Sequence, residues 1–335
     1  MPSLWVLTGP KAGDNSQILR AAEASRLPYE IKTIVIRKGQ QGLKPRVRPT
    51  IRHLDVVASD PLGPPWPDAV LTIGRDLSLV ALWIKQQSGG RTRVALFNAA
   101  KGRASAFDLI VLPPYYRASG HSNELQIRMP LIGIDPSQVE AAHAAFAAQF
   151  DVLQRPLSVL LLGGDMGLRK LDPNFAISVL GTMQQSFASS GSIYVSASRR
   201  TPNKVAVALE AHLRPQDRLF RWGTPDIENP YLGLLAHGDN FVVTADSLSM
   251  IIEVARLGKP MMIAEPSIRT GLTGWWDRLA VAFRARDLRR AIVPLYESGH
   301  AAVLGKVFSR PAEPLPDDTA RVAERLRQLV LGKVE

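Results

Sequence analysis

The chain has 335 residues, of which 46% are hydrophobic and 21% charged, as is typical of a soluble globular protein with a full core. It contains no cysteine, which excludes disulfides, thiolate nucleophiles and cysteine-ligated metals. The net charge of +11 favours an anionic partner or surface.

Strands and helices alternate along the first half of the chain. A polar turn at 8–17 is followed by a helix, Gly74 begins another, and an alanine-rich helix is predicted at 139–150. Short apolar runs predict strands at 4–7, 31–36, 69–73, 94–97 and 109–112.

The same alternation recurs in the second half, where apolar runs predict strands at 157–162, 192–195, 219–222, 241–243 and 261–264. Strands that alternate with helices predict parallel sheets with helices on both faces. The sequence therefore predicts an α/β protein of two doubly wound, Rossmann-like domains that face a cleft. A C-terminal helix with an apolar face is expected to pack back on the first domain. The predicted limits of these three parts are 1–152, 153–312 and 313–335.

Residues 241–264 predict a strand, a polar turn, a helix and a second strand. Asp246 and Ser247 are residue types favoured as helix N-caps, and Gly258 is a typical helix stop. The free N–H groups at such a helix start suit a phosphate. Glu253 lies about two turns into the helix and could offer its carboxylate to a ribose diol of the same ligand. An ordinary capped αβ unit is the competing interpretation.

Two more turns are predicted at the same edge of the second sheet. Gly163 and Gly164 open a glycine-rich turn after a buried strand, where the backbone can approach a phosphate. Ser198 ends the next strand, and Arg199 or Arg200 could neutralise a diphosphate. A plain loop and plain surface charge are the alternatives. We assign five residues of these turns and of the turn before the helix to the donor: Gly163, Gly164, Ser198, Arg199 and Asp246.

The first polar turn contains the candidate catalytic residue. Asp14 is placed to act as a general base on an acceptor hydroxyl, and its alternative role is the N-cap of the first helix. We assign further acceptor-side residues to this turn and to the turn after the third strand: Lys11, Gly13, Gln17 and Arg75.

A basic segment follows the second predicted strand. Residues 31–54 contain no acidic residue, and two prolines favour a loop. Such a segment predicts contact with anionic lipid headgroups, whereas nucleic acid is not expected because aromatic residues are not interleaved with it. A solvated basic loop is the alternative. The basic residues that we assign to a membrane surface are Arg37, Lys38, Lys44, Arg46, Arg48 and Arg52.

Several familiar motifs are absent from the sequence. It has no dinucleotide fingerprint, no Walker loop, no zinc-binding pattern and no serine-hydrolase elbow, so we expect no cofactor and no metal. The N-terminus lacks the pattern of a signal peptide, and no apolar segment has the length of a membrane span. We expect a cytoplasmic protein, with peripheral attachment to the inner membrane left open.

Four segments of the sequence together resemble the mitochondrial fission family named for elongated mitochondria, whose bacterial members are labelled nucleoside-diphosphate-sugar epimerases or putative glycosyltransferases. They are residues 11–17, 198–202, 229–231 and 244–260. The resemblance spans nearly the whole chain in order. More distantly, residues 246–260 are similar to the donor site of GT-B glycosyltransferases, including the N-acetylglucosaminyltransferase of peptidoglycan synthesis.

The resemblance implies a GT-B-like pair of domains that works without a metal. The second domain would hold the nucleoside-diphosphate sugar, with Glu253 on the ribose, the glycine loop closing on the phosphates, and a diphosphate-binding turn formed by Ser247, Leu248 and Ser249. The first domain would hold the acceptor near Gly13 and Asp14. The chain departs from related sequences at 113–117, where they carry a His-Asp pair, and at 163–167, where they carry proline, serine and lysine.

We therefore expect a glycosyltransferase that uses a nucleoside-diphosphate sugar, with a lipid-linked or cell-envelope glycan as acceptor. A sugar-nucleotide epimerase would use the same donor site. A non-enzymatic adaptor of the fission family is the third interpretation, and nucleic-acid binding, from charge alone, is the fourth.

Overall fold

The structure, a computed structural model, describes residues 3–40, 49–100, 103–165, 170–186, 191–265, 287–306, 308, 311 and 313–332. Its contacts divide the chain into two compact units. The first comprises Met1–Gly133, Ala285–Ala291 and Pro316–Glu335, and the second comprises Ile134–Arg284 and Ile292–Leu315. The domain limits given by the sequence stay a prediction, because a compact unit need not fold or bind independently.

A six-stranded parallel sheet forms the centre of the first unit. Its strands are β1 (Leu4–Thr8), β2 (Tyr29–Thr33), β3 (Ala69–Ile73), β4 (Arg93–Phe97), β5 (Leu109–Leu112) and β6 (Glu124–Gln126). Their order across the sheet is β2-β1-β3-β4-β5-β6. Helix α1 (Ala12–Ser25) follows β1, and α2 (Arg75–Gln87) follows β3. Strands β1 and β3 are buried along their whole length, as expected where helices cover both faces of a parallel sheet.

A second six-stranded parallel sheet forms the centre of the second unit, with the order β12-β11-β10-β7-β8-β9. Its strands are β7 (Leu157–Leu162), β8 (Ser192–Ala197), β9 (Arg218–Arg221), β10 (Asn240–Thr244), β11 (Met261–Ala264) and β12 (Ala302–Val303). The helices described between residues 134 and 315 are α3 (Pro136–Phe150), α4 (Pro173–Ser186), α5 (Asn203–Glu210), α6 (Tyr231–His237), α7 (Leu248–Arg256) and α8 (Arg289–Glu297).

The C-terminal helix, α9 (Thr319–Leu331), packs against α1 in the first unit. Val322 and Leu326 of α9 belong to the same buried cluster as Ile18 of α1. Arg20 on α1 donates a hydrogen bond from Nε to Thr319 Oγ1 at 3.1 Å. The predicted α/β fold with two doubly wound sheets is confirmed, and so is the return of the C-terminal helix.

The first polar segment differs from the prediction. Helix α1 begins at Ala12, so the residues that follow are helical rather than part of a turn. Lys11, not Asp14, occupies the N-cap position. Asn15 explains the difference: its side chain accepts from the Gly9 amide at 3.0 Å and donates to the Gly9 carbonyl at 2.7 Å. A polar residue typical of turns thereby links the helix to the end of β1.

In each sheet the strand order reverses beside the strand that comes first in the chain. The reversal lies between β1 and β3 in the first unit and between β7 and β10 in the second. Ligands of open α/β sheets bind outside the carboxyl ends of the strands at such switch points. The loops after β1 and β3, and those after β7 and β10, are therefore the places where the fold predicts binding.

Candidate functional site

The loops after β7 and β10 are bonded to each other at the switch point of the second sheet. The Gly163 amide donates to Thr244 Oγ1 at 2.8 Å, and the Gly164 amide donates to Asp246 Oδ2 at 2.7 Å. Thr244 Oγ1 in turn donates to Asp246 Oδ1 at 2.7 Å. The Asp246 carboxylate therefore holds the glycine loop, which corrects its predicted role as a helix cap.

Close approach explains why this loop contains two glycines. A Cβ atom at Gly163 would overlap the Asp246 carboxylate. A Cβ atom at Gly164 would lie 2.6 Å from the carbonyl oxygen of Arg200. Any side chain at either position would push the loop away from its neighbours, so packing alone requires both glycines.

The loop after β8 joins the same group of contacts. Ser198 Oγ donates to the Gly163 carbonyl at 3.0 Å, and Thr201 Oγ1 donates to the same oxygen at 2.6 Å. Ser198, which the sequence assigns to the donor, thus fixes the glycine loop with its hydroxyl. The ends of β7, β8 and β10 form one connected surface at the carboxyl edge of the sheet.

Arg200 supplies a positive charge to this surface. Its Nη2 lies 3.0 Å from Asp246 Oδ2, and the Asp246 side chain is 5% exposed while that of Arg200 is 50% exposed. Burial raises the pKa of Asp246, and hydrogen bonds from Gly164 and Thr244 oppose the rise. The sequence assigned Arg199 to the diphosphate, whereas the geometry brings the neighbouring Arg200 to the switch point and leaves Arg199 exposed.

The start of α7 lies directly after Asp246. Ser247 occupies the N-cap position without a side-chain hydrogen bond to the helix. Ser247 and Leu248 are buried, and Ser249 is half-buried. The first amides of a helix have no partner within the helix, so they offer N–H donors at this point. Of the three predicted diphosphate residues at this turn, Ser247, Leu248 and Ser249, the last has the most accessible side chain.

Glu253 is held by a tyrosine from the neighbouring helix. The hydroxyl of Tyr231, at the start of α6, donates a short hydrogen bond to Glu253 Oε2. Burial raises the pKa of Glu253 to about 7, and the hydrogen bond from Tyr231 opposes that rise. Burial and the nearby carboxylate raise the pKa of Tyr231 well above its usual range. At neutral pH the tyrosine stays protonated, while Glu253 is close to its midpoint.

A cavity lies at the switch point of the first unit, between the loops after β1 and β3. Its volume is about 310 Å³, and its lining includes Lys11, Asp14, Asn15, Arg75, Asp76 and Leu77. Lys11 Nζ lies 3.9 Å from Asp14 Oδ2, and Arg75 Nε lies 3.6 Å from Asp76 Oδ1. Three predicted acceptor-side or catalytic residues, Lys11, Asp14 and Arg75, therefore share one cavity.

Gly13 and Gln17 stand apart from this cavity. Gln17 is buried, and its Nε2 donates to the Gly13 carbonyl at 3.2 Å within α1. Its Oε1 is buried without a hydrogen-bond partner among the described residues. In this structure both residues belong to the body of α1 rather than to the lining. Within the described part of the chain, no group of acidic or histidine side chains is arranged to hold a metal ion.

Two stretches at the ends of the basic segment, residues 34–38 and residues 52–58, pair with each other before β3. Ile36 forms an antiparallel bridge with Leu54, and the Arg37 amide donates to the His53 carbonyl at 3.0 Å. We call residues 34–38 and 52–58 the basic ribbon. Its exposed side chains include Arg37, Lys38, Arg52, Val56 and Val57. Lys44, Arg46 and Arg48 lie outside the described residues.

The sequence does not predict the parts that three residues play in these sites: Tyr231, Arg200 and Asn15. Tyr231 belongs to a segment that resembles a known family, and the sequence alone assigns it no role. Arg200 is adjacent to Arg199, and the sequence offers no signal that separates two adjacent arginines after a strand. Asn15 is predicted as a turn residue from its type, although asparagine also favours side-chain hydrogen bonds to the backbone.

Comparison with known proteins identifies a family that the sequence matches over most of its length. A sequence profile of the family described as Mitochondrial fission ELM1 matches residues 12–330. The Mitochondrial fission protein ELM1 of Arabidopsis thaliana is 27% identical over 219 residues, which cover 59% of this chain and 51% of that protein. The match therefore spans about half the length of that relative.

Solved structures share the fold at low sequence identity. The UDP-GlcNAc 2-epimerase from Methanocaldococcus jannaschii has a TM-score of 0.54 and 11% identity, covering 98% of this chain and 99% of its own. The S. aureus MnaA–UDP co-structure has a TM-score of 0.50 and 10% identity, covering 100% of this chain and 98% of its own. Such likeness establishes the GT-B-like fold.

Proposed function

Since the chain belongs to the mitochondrial fission ELM1 family, we propose that its second unit binds a nucleoside-diphosphate sugar and that the protein transfers the sugar to an acceptor. One observation carries this proposal. The glycine loop at 163–164, Arg200 and the start of α7 lie together at the carboxyl edge of one sheet at its switch point, and Glu253 follows within α7. That edge is where such sheets hold nucleotides.

The donor site works by matching each part of the nucleotide to a different group. Ionised Glu253 accepts hydrogen bonds from the ribose hydroxyls. The first amides of α7, the Ser249 hydroxyl and Arg200 bind the diphosphate, with the glycine loop beside them. These fixed N–H groups and the guanidinium stabilise the charge that develops on the leaving diphosphate, so the transfer needs no metal.

The cavity of the first unit is proposed to receive the acceptor. Its volume of about 310 Å³ is at the lower end for small-ligand pockets, so it suits one ring rather than a long chain. Asp14 accepts the proton of the attacking hydroxyl, and Lys11 and Arg75 bind anionic groups of a lipid-linked or envelope glycan. Gly13 and Gln17 act from the body of α1 by supporting that helix.

Calorimetric titration tests the donor site. UDP and UDP-GlcNAc are the first ligands to test. One solved structure that shares this fold is a UDP-GlcNAc 2-epimerase, and another is a complex with UDP. GDP-, ADP- and CDP-sugars follow. Glu253→Gln is expected to weaken binding by about 10- to 100-fold, since each hydrogen bond to a charged group is worth about 1.5–3 kcal/mol. Glu140→Gln, at an exposed position of α3, is the control and should change nothing.

The same titration with a 2′-deoxynucleotide isolates the contact with the ribose. Removing the hydroxyl should weaken binding to the native protein and have little further effect on Glu253→Gln. If removal of the hydroxyl lowered the affinity equally in both proteins, Glu253 would not be the residue that contacts the ribose. A folded protein that binds none of the nucleotides would exclude the donor site and favour the adaptor.

Product analysis separates the two enzymatic alternatives. Release of UDP from UDP-GlcNAc only when an acceptor lipid or glycan is added supports transfer. Conversion of the donor to an epimer without any acceptor supports the epimerase. Asp14→Asn should abolish transfer while leaving the affinity for UDP unchanged, because Asp14 belongs to the first unit and the nucleotide site to the second.

We also propose that the basic ribbon attaches the protein to an anionic membrane. Arg37, Lys38 and Arg52 are exposed, and Val56 and Val57 are 61% and 98% exposed on the same ribbon. Exposed valines beside cations suit the interface of an anionic bilayer. None of the helices within the described ranges is long and apolar enough to cross a membrane.

Co-sedimentation with vesicles tests this attachment. The double variant Arg37→Ala with Lys38→Ala is expected to lower partitioning onto phosphatidylglycerol vesicles by about 30-fold, because each basic residue contributes about 1 kcal/mol near such a surface. Arg325→Ala, an exposed arginine on α9, is the matched control. Binding that is equally strong on neutral vesicles, or insensitive to salt, would contradict the proposal.

A further inference from the structure

Helix α6 brings a phenol to the carboxylate of α7. The Tyr231 hydroxyl donates to Glu253 Oε2 across 22 residues of sequence. The elevated pKa of Tyr231 keeps its proton in place at neutral pH, so the tyrosine acts as a donor and Glu253 as the acceptor. This contact is the direct link from α6 to the proposed ribose-binding group.

The position of α6 is fixed along its length. A Cβ atom at Gly233 would lie 2.6 Å from the Phe146 ring, so α6 packs closely on α3. At the other end Lys259 Nζ donates to the Gly238 carbonyl at 2.9 Å and to the Ala236 carbonyl at 3.3 Å. Tyr231 therefore projects from an anchored helix, not from a free loop.

We infer that Tyr231 is a positioning residue for the ligand site: its hydroxyl orients the Glu253 carboxylate, keeps it in the accepting form, and stays bonded to it when a ribose diol binds. The inference rests on the proposed nucleotide site. A carboxylate has about four lone-pair positions, and the phenol uses one of them. Oε1 and the remaining position on Oε2 can accept from two ligand hydroxyls.

The charge of Glu253 depends on this donor. Burial raises the pKa of the carboxyl group, and the tyrosine hydrogen bond is the influence that opposes it. Besides Tyr231 and Glu253, the titratable side chains on α6, on α7 and within three residues of their ends are Glu228, His237, Asp239, Asp246, Arg256 and Lys259. Without the phenol, Glu253 would be protonated to a higher pH, and a protonated carboxyl accepts fewer hydrogen bonds.

Tyr231→Phe tests the inference with two readouts. In the ligand-free protein, a carbon-13 NMR titration of the Glu253 carboxyl, identified by its loss in Glu253→Gln, should show a midpoint about 0.5–1 pH unit above that of the native protein. In UDP-GlcNAc titrations between pH 6 and 9, the native affinity should fall as the pH drops through 7. The affinity of Tyr231→Phe should fall at a correspondingly higher pH, and the two proteins should agree within about threefold at pH 9.

A second phenol provides the control. Tyr194→Phe removes a buried hydroxyl that accepts from Gln149 Nε2, and it should leave both readouts unchanged. An unshifted NMR midpoint in Tyr231→Phe would overturn the inference. A loss of affinity that is the same at every pH would overturn it too, because it indicates a purely structural role. Tighter binding of the ligand by Tyr231→Phe at pH 9 would also overturn it, because it would mean that the tyrosine competes with the ligand for the Glu253 carboxylate.

The two readouts also separate this inference from the proposed function. If the native protein binds no nucleotide, the proposed function fails, and the ligand part of the inference fails with it. The NMR titration would still decide whether Tyr231 sets the charge of Glu253. If nucleotide binds but the midpoint does not move, the site stands and the role of Tyr231 is wrong.

Discussion

Gly163→Ala is expected to lower the free energy of unfolding by about 2–3 kcal/mol, the range in which overpacking adds to the loss of buried hydrogen bonds. A Cβ atom there would overlap the Asp246 carboxylate, and the loop cannot move away without lengthening its hydrogen bonds to Thr244 and Asp246. The amides of Gly163 and Gly164 would move away from Thr244 and Asp246, leaving a buried carboxylate with fewer donors. Urea unfolding at pH 7.5 measures the effect.

Gly181→Ala is the matched control for this substitution. Gly181 lies within α4, and a Cβ atom there would have no neighbour within 4 Å outside the adjoining backbone of its own helix. Alanine at such a helical position should raise the free energy of unfolding by about 0.5–1 kcal/mol, because it reduces the freedom of the unfolded chain. If the two substitutions changed the free energy of unfolding equally, an overlap between a Cβ atom at position 163 and Asp246 would not explain the effect of Gly163→Ala.

The alternation of strands and helices could be predicted from the sequence because its signals are local. Each buried strand is a short apolar run bounded by polar turns, and the repeated pattern implies parallel sheets. The importance of the segment around Gly163 and of residues 246–253 followed from the same rule, since turns after such strands gather at one edge. These two segments meet in the structure, where the Gly164 amide donates to Asp246.

The partners of individual side chains could not be predicted, because they depend on distances across the fold. Tyr231 and Glu253 are separated by 22 residues and meet only because α6 and α7 are neighbours. Arg199 and Arg200 are equivalent in the sequence, and only the backbone after β8 decides which one faces Asp246. Asp246 is a residue type favoured as a helix cap, yet its carboxylate accepts a hydrogen bond from the Gly164 amide of another loop.

The two units solve the same topological problem in different ways. In the first, the loops after β1 and β3 leave a cavity of about 310 Å³ at the switch point. In the second, the loops after β7 and β10 are bonded together through Thr244 and Asp246, and the half-exposed Arg200 and the start of α7 lie beside them. A cavity suits a small acceptor group, whereas a bonded surface with N–H donors and a cation suits a diphosphate.

That contrast yields the second large expected effect. Arg200→Ala should weaken binding of UDP by about 10- to 100-fold, because it removes a charge-assisted contact worth about 1.5–3 kcal/mol. It should change the free energy of unfolding by less than about 1 kcal/mol, since the arginine is half exposed and its ion pair is screened by solvent.

Asp246→Ala should instead lower the free energy of unfolding by about 2–3 kcal/mol, because it leaves the Gly164 amide and the Thr244 hydroxyl without their acceptor.

Arg199→Ala distinguishes the geometry from the assignment based on the sequence. Arg199 is the adjacent exposed arginine, so its removal should change the affinity for UDP by less than about threefold if Arg200 is the diphosphate ligand. Uridine, which carries no phosphate, should bind Arg200→Ala and the native protein equally. A larger loss in Arg199→Ala than in Arg200→Ala would restore the original assignment. An equal loss for uridine and UDP would mean that Arg200 shapes the site without contacting the diphosphate.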